Sequence, residues 1–240
     1  MALKTSRMLH NTNLPRRGMS RVREVLAREG VKGLVLKVLA RSVYREVVLV
    51  ERELKNLWVE TSTDVPFQVR RLRRSDVPAY LDLRPDQSEE EVVRRLDNGH
   101  FAYVTWTEGH ISSAVWFQDG PVWIPDVDHL LPLRPREVYS YDSFTSPDLR
   151  GRGIAPARGV QTMRLMRAAG YRSVIGFVLP ENRAGFRQPE KLGLKRTGRI
   201  GYVQLGPVRL QYSQRGTEKV RWTMRRAPRS LMRRPAVEPL

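Results

Sequence analysis

A chain of 240 residues, 40% hydrophobic and 28% charged, can bury one sizeable core and leave extensions outside it. It contains no cysteine, which excludes disulfides, thiolate metal sites and cysteine nucleophiles and suits a reducing compartment. Its 43 Lys and Arg against 25 Asp and Glu give a formal net charge of +18, a balance that favours anionic partners: nucleic acid, acidic lipid or phosphorylated small molecules.

Residues 1–18 are polar, with Asn11, Asn13, Pro15 and Gly18, and read as a flexible arm. Residues 19–60 read as a basic extension. Within it the spacing of Val22, Val25, Leu26, Val31, Leu34, Val35, Val38 and Leu39 predicts an amphipathic helix over 20–44. Val47 to Val50 is a short β-branched run and predicts a strand. A linker follows to Pro66. Phe67, Val69 and Leu72 alternate as a strand, and Ser75-Asp76 ahead of Val77-Pro78 reads as a capped helix start. Ser88 to Glu91 is a capping box that opens a second helix, ended by Asn98-Gly99. Strands are expected near 101–106 and 110–117, then a loop over 119–135 rich in proline and glycine. Residues 137–145 alternate again. A helix runs from about Ala155 to Ala169, a strand over Ser173–Val178 and a short helix over Asn182–Leu192. Strands follow at 196–205, 207–213 and 219–224. The tail 226–240 is rich in Arg and Pro and reads as disordered. No run approaches the ~20 apolar residues that span a bilayer, and no signal peptide is evident. The expected location is cytoplasmic.

The mixed order of strands and helices from Phe67 predicts an α/β or α+β fold on a single sheet. Its most informative stretch is Tyr141-Asp-Ser-Phe-Thr-Ser-Pro-Asp-Leu-Arg-Gly-Arg-Gly-Ile-Ala155. A strand ends there, and a turn rich in Arg and Gly opens directly into a helix. Gly151 and Gly153 let backbone approach a ligand closely. The free N–H groups and positive dipole end of the helix make an anion site suited to phosphate, with Arg150 and Arg152 adding charge.

Arg150-Gly-Arg-Gly-Ile-Ala155 resembles the Arg/Gln-x-x-Gly-x-Gly/Ala signature of the GCN5-related N-acetyltransferases. Thr145 to Leu149 resembles the turn that precedes it. Asn182-Arg-Ala-Gly-Phe186 and Glu190-Lys-Leu-Gly-Leu194 resemble the family's second motif, in the correct order after a strand. The resemblance implies a mixed, mostly antiparallel sheet flanked by helices over 67–225. It implies acetyl-coenzyme A as co-substrate and no metal. The strand end at Phe144 and Thr145 would offer backbone groups to the pantetheine arm, and one such N–H would stabilise the thioester oxyanion. Arg150, Gly151, Arg152, Gly153, Ile154 and Ala155 would hold the pyrophosphate, with Asn182 approaching from the other side of two parting parallel strands. The acceptor amine would attack the thioester directly.

One departure from the family's pattern concerns protons. Pro189 stands where many members place the tyrosine that protonates the leaving thiolate. Tyr139, Tyr141 or Tyr202 replaces it, or the thiolate leaves unaided; Tyr141 is nearest in sequence to the strand end. Glu137 and Asp142 are the candidate general bases. Alternation puts Tyr139 and Tyr141 on one face of their strand and Asp142 on the other. His110 and His129 lack partners at metal-binding spacing. The loop 119–135, together with Trp116, Phe117, Trp123 and Asp126, is expected to shape the acceptor pocket.

The reading that follows is an N-acetyltransferase acting on a small-molecule amine, such as an amino sugar of cell-surface polysaccharide synthesis. A protein or peptide amine is the alternative acceptor. The basic helix over 20–44 either packs on the domain or touches an anionic membrane surface peripherally. A nucleic-acid-associated protein using the fold as a scaffold is a further alternative, although no stacking platform or groove-reading motif is evident.

Overall fold

A computed structural model describes residues 44–55, 57, 61–205 and 208–226. The arm 1–18, the tail after Arg226 and the helix expected over 20–44, apart from Tyr44, lie outside the described residues. Tyr44 itself opens a strand.

The strands are β1 (Tyr44–Glu53), β2 (Gln68–Arg71), β3 (Phe101–Thr107), β4 (His110–Gln118), β5 (Val122–Ile124), β6 (His129–Leu131), β7 (Glu137–Thr145), β8 (Ser173–Val178), β9 (Lys195–Leu205), β10 (Val208–Arg215) and β11 (Arg221–Arg226). The helices are α1 (Val77–Leu83), α2 (Glu89–Asp97), α3 (Ile154–Ala168) and α4 (Arg183–Lys191). Nine strands form one sheet in the order β11-β10-β9-β1-β8-β7-β4-β3-β2, and β5 pairs with β6 separately. Among the described residues all ladders are antiparallel except β7 with β8. This is the mixed, mostly antiparallel sheet flanked by helices that the motifs imply. The strand assigned to the extension is longer than the Val47–Val50 run and lies between β8 and β9, so the sheet takes in residues 44–53.

The apolar positions of each strand explain the layers. On one face α3 packs Val160, Met163 and Met166 against Val115, Phe117, Val138 and Val174. On the other, α1 and α2 bring Val77, Tyr80 and Val92 to Ala102, Val104, Ala114 and Trp116. The indole N–H of Trp116 donates to Tyr80 Oη at 2.8 Å, which satisfies a donor that burial would otherwise strand. Ser88 caps α2, its Oγ accepting from Glu91 N at 3.2 Å. Asp76 makes no such cap on α1; it accepts two hydrogen bonds from Arg70 and one from the Arg73 N–H.

The stretch 119–135 is not a loop but a β5–β6 hairpin joined through a 3-10 turn. Its buried residues Val122, Ile124, Val127 and Leu131 cover Val47, Leu49, Tyr139, Ile175 and Ile200 of the sheet. Three-residue strands flanked by Pro121, Pro125 and Pro132 carry too short an alternation to read in sequence. Buried Arg209 ties the hairpin to β10, donating to Asp128 Oδ2 at 2.6 Å while Gln211 Nε2 donates to Asp128 O at 2.8 Å.

Glu137 is buried at the start of β7. It accepts from both terminal nitrogens of Arg215, from the Arg134 N–H at 2.9 Å and from Ser173 Oγ at 3.3 Å. Arg215 also donates to Glu51 at 3.1 Å, so one buried cation joins β1, β7 and β10. Removing one partner of a buried pair leaves a charge without compensation. Glu137→Gln is therefore expected to lower unfolding stability by about 3–5 kcal/mol, read by urea denaturation. A midpoint equal to that of the parent would show that this cluster does not hold the sheet.

Candidate active site

The parallel ladder between β7 and β8 is short. It runs from Glu137 opposite Ser173 to Tyr139 opposite Ile175 and stops there, while β7 continues to Thr145 and β8 to Val178. A cleft of about 440 Å³ opens where the strands part. Ser140 and Ser143 of β7, Gly176 and Val178 of β8, and Thr162 and Met163 of α3 line it. Asn182, Gly185 and Gln188, at and beyond the start of α4, line it as well. Gly176 keeps the gap open, since a Cβ there would stand 3.3 Å from Ser140 O. Asn182 caps α4, its Oδ1 accepting from Gly185 N at 2.9 Å. Pro189 does not end that helix, which continues to Lys191 and closes with Leu192 N on Gln188 O at 3.0 Å.

The Arg-Gly turn lies between the end of β7 and α3. Gly151 and Gly153 have φ of +82° and +78°, a region that disfavours side chains. Gly153 is the N-cap of α3, so the first N–H groups of Ile154 and Ala155 have no intrahelical acceptor. The Ile154 side chain is buried with Val65 and Leu149. A strap of residues 62–65 lies on the turn. Thr63 Oγ1 donates to Arg152 O at 2.8 Å, Arg152 donates to Asp64 at 2.9 Å, and a Cβ on Gly153 would overlap the Ser62 carbonyl oxygen. Arg150 Nε donates to Thr145 O at 3.1 Å, and its guanidinium lies 5.5 Å from the Phe144 ring centre.

A bulge in β7 re-aims the strand end. Phe144 pairs with Ala114 and Tyr141 with Trp116, so Asp142 and Ser143 together stand opposite Val115, and Asp142 has φ of +46°. Alternation therefore fails at Asp142. Its carboxylate lies on the α1–α2 face with Tyr141 rather than on the opposite one. It accepts from Arg84 at 2.6 Å, Arg95 at 2.8 Å and Gln87 at 2.9 Å. Burial alone would raise its pKa, but these hydrogen bonds outweigh it and hold the carboxyl below the usual range. The Phe144 ring also faces this side, 4.7 Å from the Arg84 guanidinium, and Ser143 turns to the cleft. Thr145 Oγ1 is 3.0 Å from Ser113 Oγ.

Tyr141 Oη lies 2.5 Å from His100 Nδ1. Burial, then the charge of Arg95, pushes the His100 pKa down, so its imidazole is neutral at neutral pH. Burial pushes the Tyr141 phenol up, with Arg95 opposing. Tyr139 stacks on Tyr141 at 5.8 Å and on Phe177 at 6.2 Å, and its phenol is also raised by burial and then by Asp126. Tyr202 is buried under Arg209, in the core cluster that also holds Tyr139, and does not line the cleft. Trp116 and Phe117 are buried in β4 rather than forming an open pocket wall, although Phe117 reaches the cleft. Trp123 is 51% exposed.

Thus Tyr141, Ser143 and Asn182 share the cleft, the Gly turn adjoins it through the end of β7, and Glu137 lies at the far end of β7 in its ion-pair cluster. His100, Ser143 and Arg158 had no place in the sequence reading. Arg158 carried a signal, because it stands four residues after Ile154, on the same helix face as that apolar side chain. His100 and Ser143 carried none. Among the described residues no group of three or more His, Cys, Asp or Glu could hold a metal ion, and no helix is long and apolar enough to cross a membrane.

No protein-family model and no curated protein matches the sequence. Solved structures do match. One is a functionally unknown conserved protein from Staphylococcus epidermidis ATCC 12228, at 13% identity and a TM-score of 0.48, over 70% of this chain and 64% of that one. Another is a GCN5-related N-acetyltransferase from Sphaerobacter thermophilus, at 16% identity and a TM-score of 0.48, over 72% and 55%. A third is an N-acetyltransferase from Staphylococcus aureus Mu50, at 16% identity and a TM-score of 0.41, over 53% and 82%. The chain spans less than two-thirds of the length of the first two. The mixed, mostly antiparallel sheet flanked by helices, with its one parallel pair parting among the described strands, matches the fold of the GCN5-related N-acetyltransferases.

Proposed function

We propose that this protein transfers an acetyl group from acetyl-coenzyme A to a primary amine of a small molecule. The observation that carries the reading is the cleft between the parted ends of β7 and β8, beside a Gly-x-Gly turn at a helix N-terminus. The turn from Arg150 to Ala155 would hold the pyrophosphate through backbone N–H groups and the dipole of α3. The gap kept open at Gly176 would take the pantetheine arm, with Asn182 and α4 as its outer wall. Acetyl-coenzyme A supplies an activated acyl carbon. The amine lone pair forms the N–C bond, the C–S bond breaks with its electron pair on sulfur, and one proton passes from nitrogen to sulfur. Orientation of the two reactants supplies much of the rate.

The proton is handled by Tyr141 and His100. Neutral His100 can accept the Tyr141 proton while Tyr141 Oη takes one from the amine nitrogen as it attacks, and the reverse step delivers that proton toward the thiolate; the extra proton of an ammonium acceptor leaves to solvent before attack. Glu137 and Asp142 serve as structural anions, because both are saturated by guanidinium groups. The half-buried rings of Tyr141 and Phe177, which line the cleft, support a small acceptor such as an amino sugar. Rings cover the apolar face of a sugar.

Acetyl-coenzyme A at millimolar concentration is expected to raise the melting temperature, because a ligand that binds only the folded state stabilises it by mass action. Gly176→Val should abolish this shift by filling the gap, and Arg150→Ala should keep most of it, since one exposed charge contributes modestly. Absence of any shift in the parent would sink the proposed activity.

Thiol release with pooled small amines and pooled peptides tests the acceptor; turnover only with peptides would overturn the small-molecule assignment. Tyr141→Phe is expected to lower kcat about 10²-fold with cofactor affinity unchanged. The parent kcat/KM should fall as pH drops through a pKa below the ordinary histidine value of about 6.5, because protonated His100 cannot accept. His100→Gln should lose that limb; an identical pH profile in the variant would remove His100 from the reaction.

A further inference from the structure

The wall of the cleft hides a charge that no described carboxylate balances. Arg158, in the second turn of α3, is 1% exposed. Among the described residues its guanidinium donates only to neutral acceptors. These are Ser113 Oγ, Ala114 O at 2.7 Å, Phe144 O at 2.9 Å and Ser143 Oγ at 2.7 Å. Its Nε has no partner among the described residues. Burial lowers its pKa to about 10, which still leaves it charged at neutral pH. A buried cation without a counter-ion is costly. The bulge accounts for part of the arrangement, because Arg158 satisfies carbonyls on both strands beside the extra residue. It does not require a full positive charge at that point.

Ser143 supplies the rest. Alternation would have left it on the α1–α2 face with Tyr141, and the bulge turns it to the α3 side of the cleft, beside Arg158. Its oxygen accepts from Arg158, so its one hydrogen is directed away from the guanidinium. A hydroxyl that accepts from a cation is polarised into a better donor. Arg158 cannot take a proton, so this neighbour does not activate Ser143 as a nucleophile. The group is a donor that lines the cleft where β7 leaves β8.

We propose that the Ser143 hydroxyl donates a hydrogen bond to the carbonyl oxygen of the acyl donor's thioester, and that Arg158 is the positioning residue that orients and polarises it. The inference rests on the acyl-transfer reading. As the amine attacks, negative charge gathers on that oxygen, and the hydrogen bond strengthens in step with it. No bond to Ser143 forms or breaks, and its proton stays on Oγ.

The test uses the full chain with acetyl-coenzyme A labelled with carbon-13 at the carbonyl, bound without any amine. Isotope-edited infrared spectroscopy should place the bound carbonyl stretch of the parent below that of the free thioester. Ser143→Ala should return the band most of the way to the free value. It should also lower turnover about 10²–10³-fold while cofactor affinity changes less than about two-fold; a larger loss of affinity would assign the residue to binding and overturn the proposal. Ser143→Thr, which keeps the hydroxyl, should recover both readouts. An unchanged band and turnover within about three-fold of the parent in Ser143→Ala would also overturn it. Arg158→Lys should shift the band part of the way; if that variant does not fold, the two Ser143 variants decide. Binding by the parent with an unshifted carbonyl band would overturn this inference and leave the proposed activity standing, whereas failure of the parent to bind acetyl-coenzyme A would remove both.

Discussion

The ladder between β7 and β8 ends at Tyr139 opposite Ile175, and everything placed around the cleft follows from that break. Backbone donors and acceptors that a continued sheet would have paired are left for a ligand or for side chains. The bulge at Asp142 and Ser143 compounds the effect. It inserts one residue into β7, reverses which side chains face α3, and brings the two flanking strands under a single guanidinium. A paired, regular β7 would leave neither a gap at Gly176 nor an inward Ser143.

The arrangement of charge is less superficial than a formal net charge of +18 suggests. Arg158, Arg209 and Arg215 are all buried, and each is accommodated differently. Arg215 joins two carboxylates from separate strands. Arg209 has Asp128, the amide oxygen of Gln204 and the ring of Tyr202 at 4.0 Å. Among the described residues Arg158 has carbonyls and hydroxyls alone. The first two lock elements together as ion pairs do when geometry is good. The third stands beside the cleft, where an anion would be welcome.

Much of the site was legible because its spacing is local. Gly151 and Gly153 announce a turn at a helix start, Asn182 opens the second motif after a strand, and the stop at Gly170 marks the end of α3; each depends on residues within a few positions. What alternation missed depends on register. A single left-handed Asp142 flips the strand after it, and nothing in the residues around it announces the flip. The β5–β6 hairpin escaped for a similar reason, since its two strands gain their meaning from the sheet beneath them. The place of β1 was hidden because any β-branched run can pair with many edges. Only the completed sheet selects β8 and β9 as its neighbours.

That placement of β1 has a consequence for how the chain comes together during synthesis. Val48 stands opposite Val178 on one side and Arg199 on the other, partners more than about a hundred residues downstream, and such non-local pairing slows folding. A ribosome releases β1 early and must deliver β8 and β9 before it has either neighbour. The run Val47 to Val50 is apolar on both faces in the finished sheet. Until then it is an unpaired, β-prone segment of the sort that invites intermolecular pairing. The arginines and glutamates that flank it, Arg45, Glu46, Glu51 and Arg52, are placed as gatekeepers of that waiting strand.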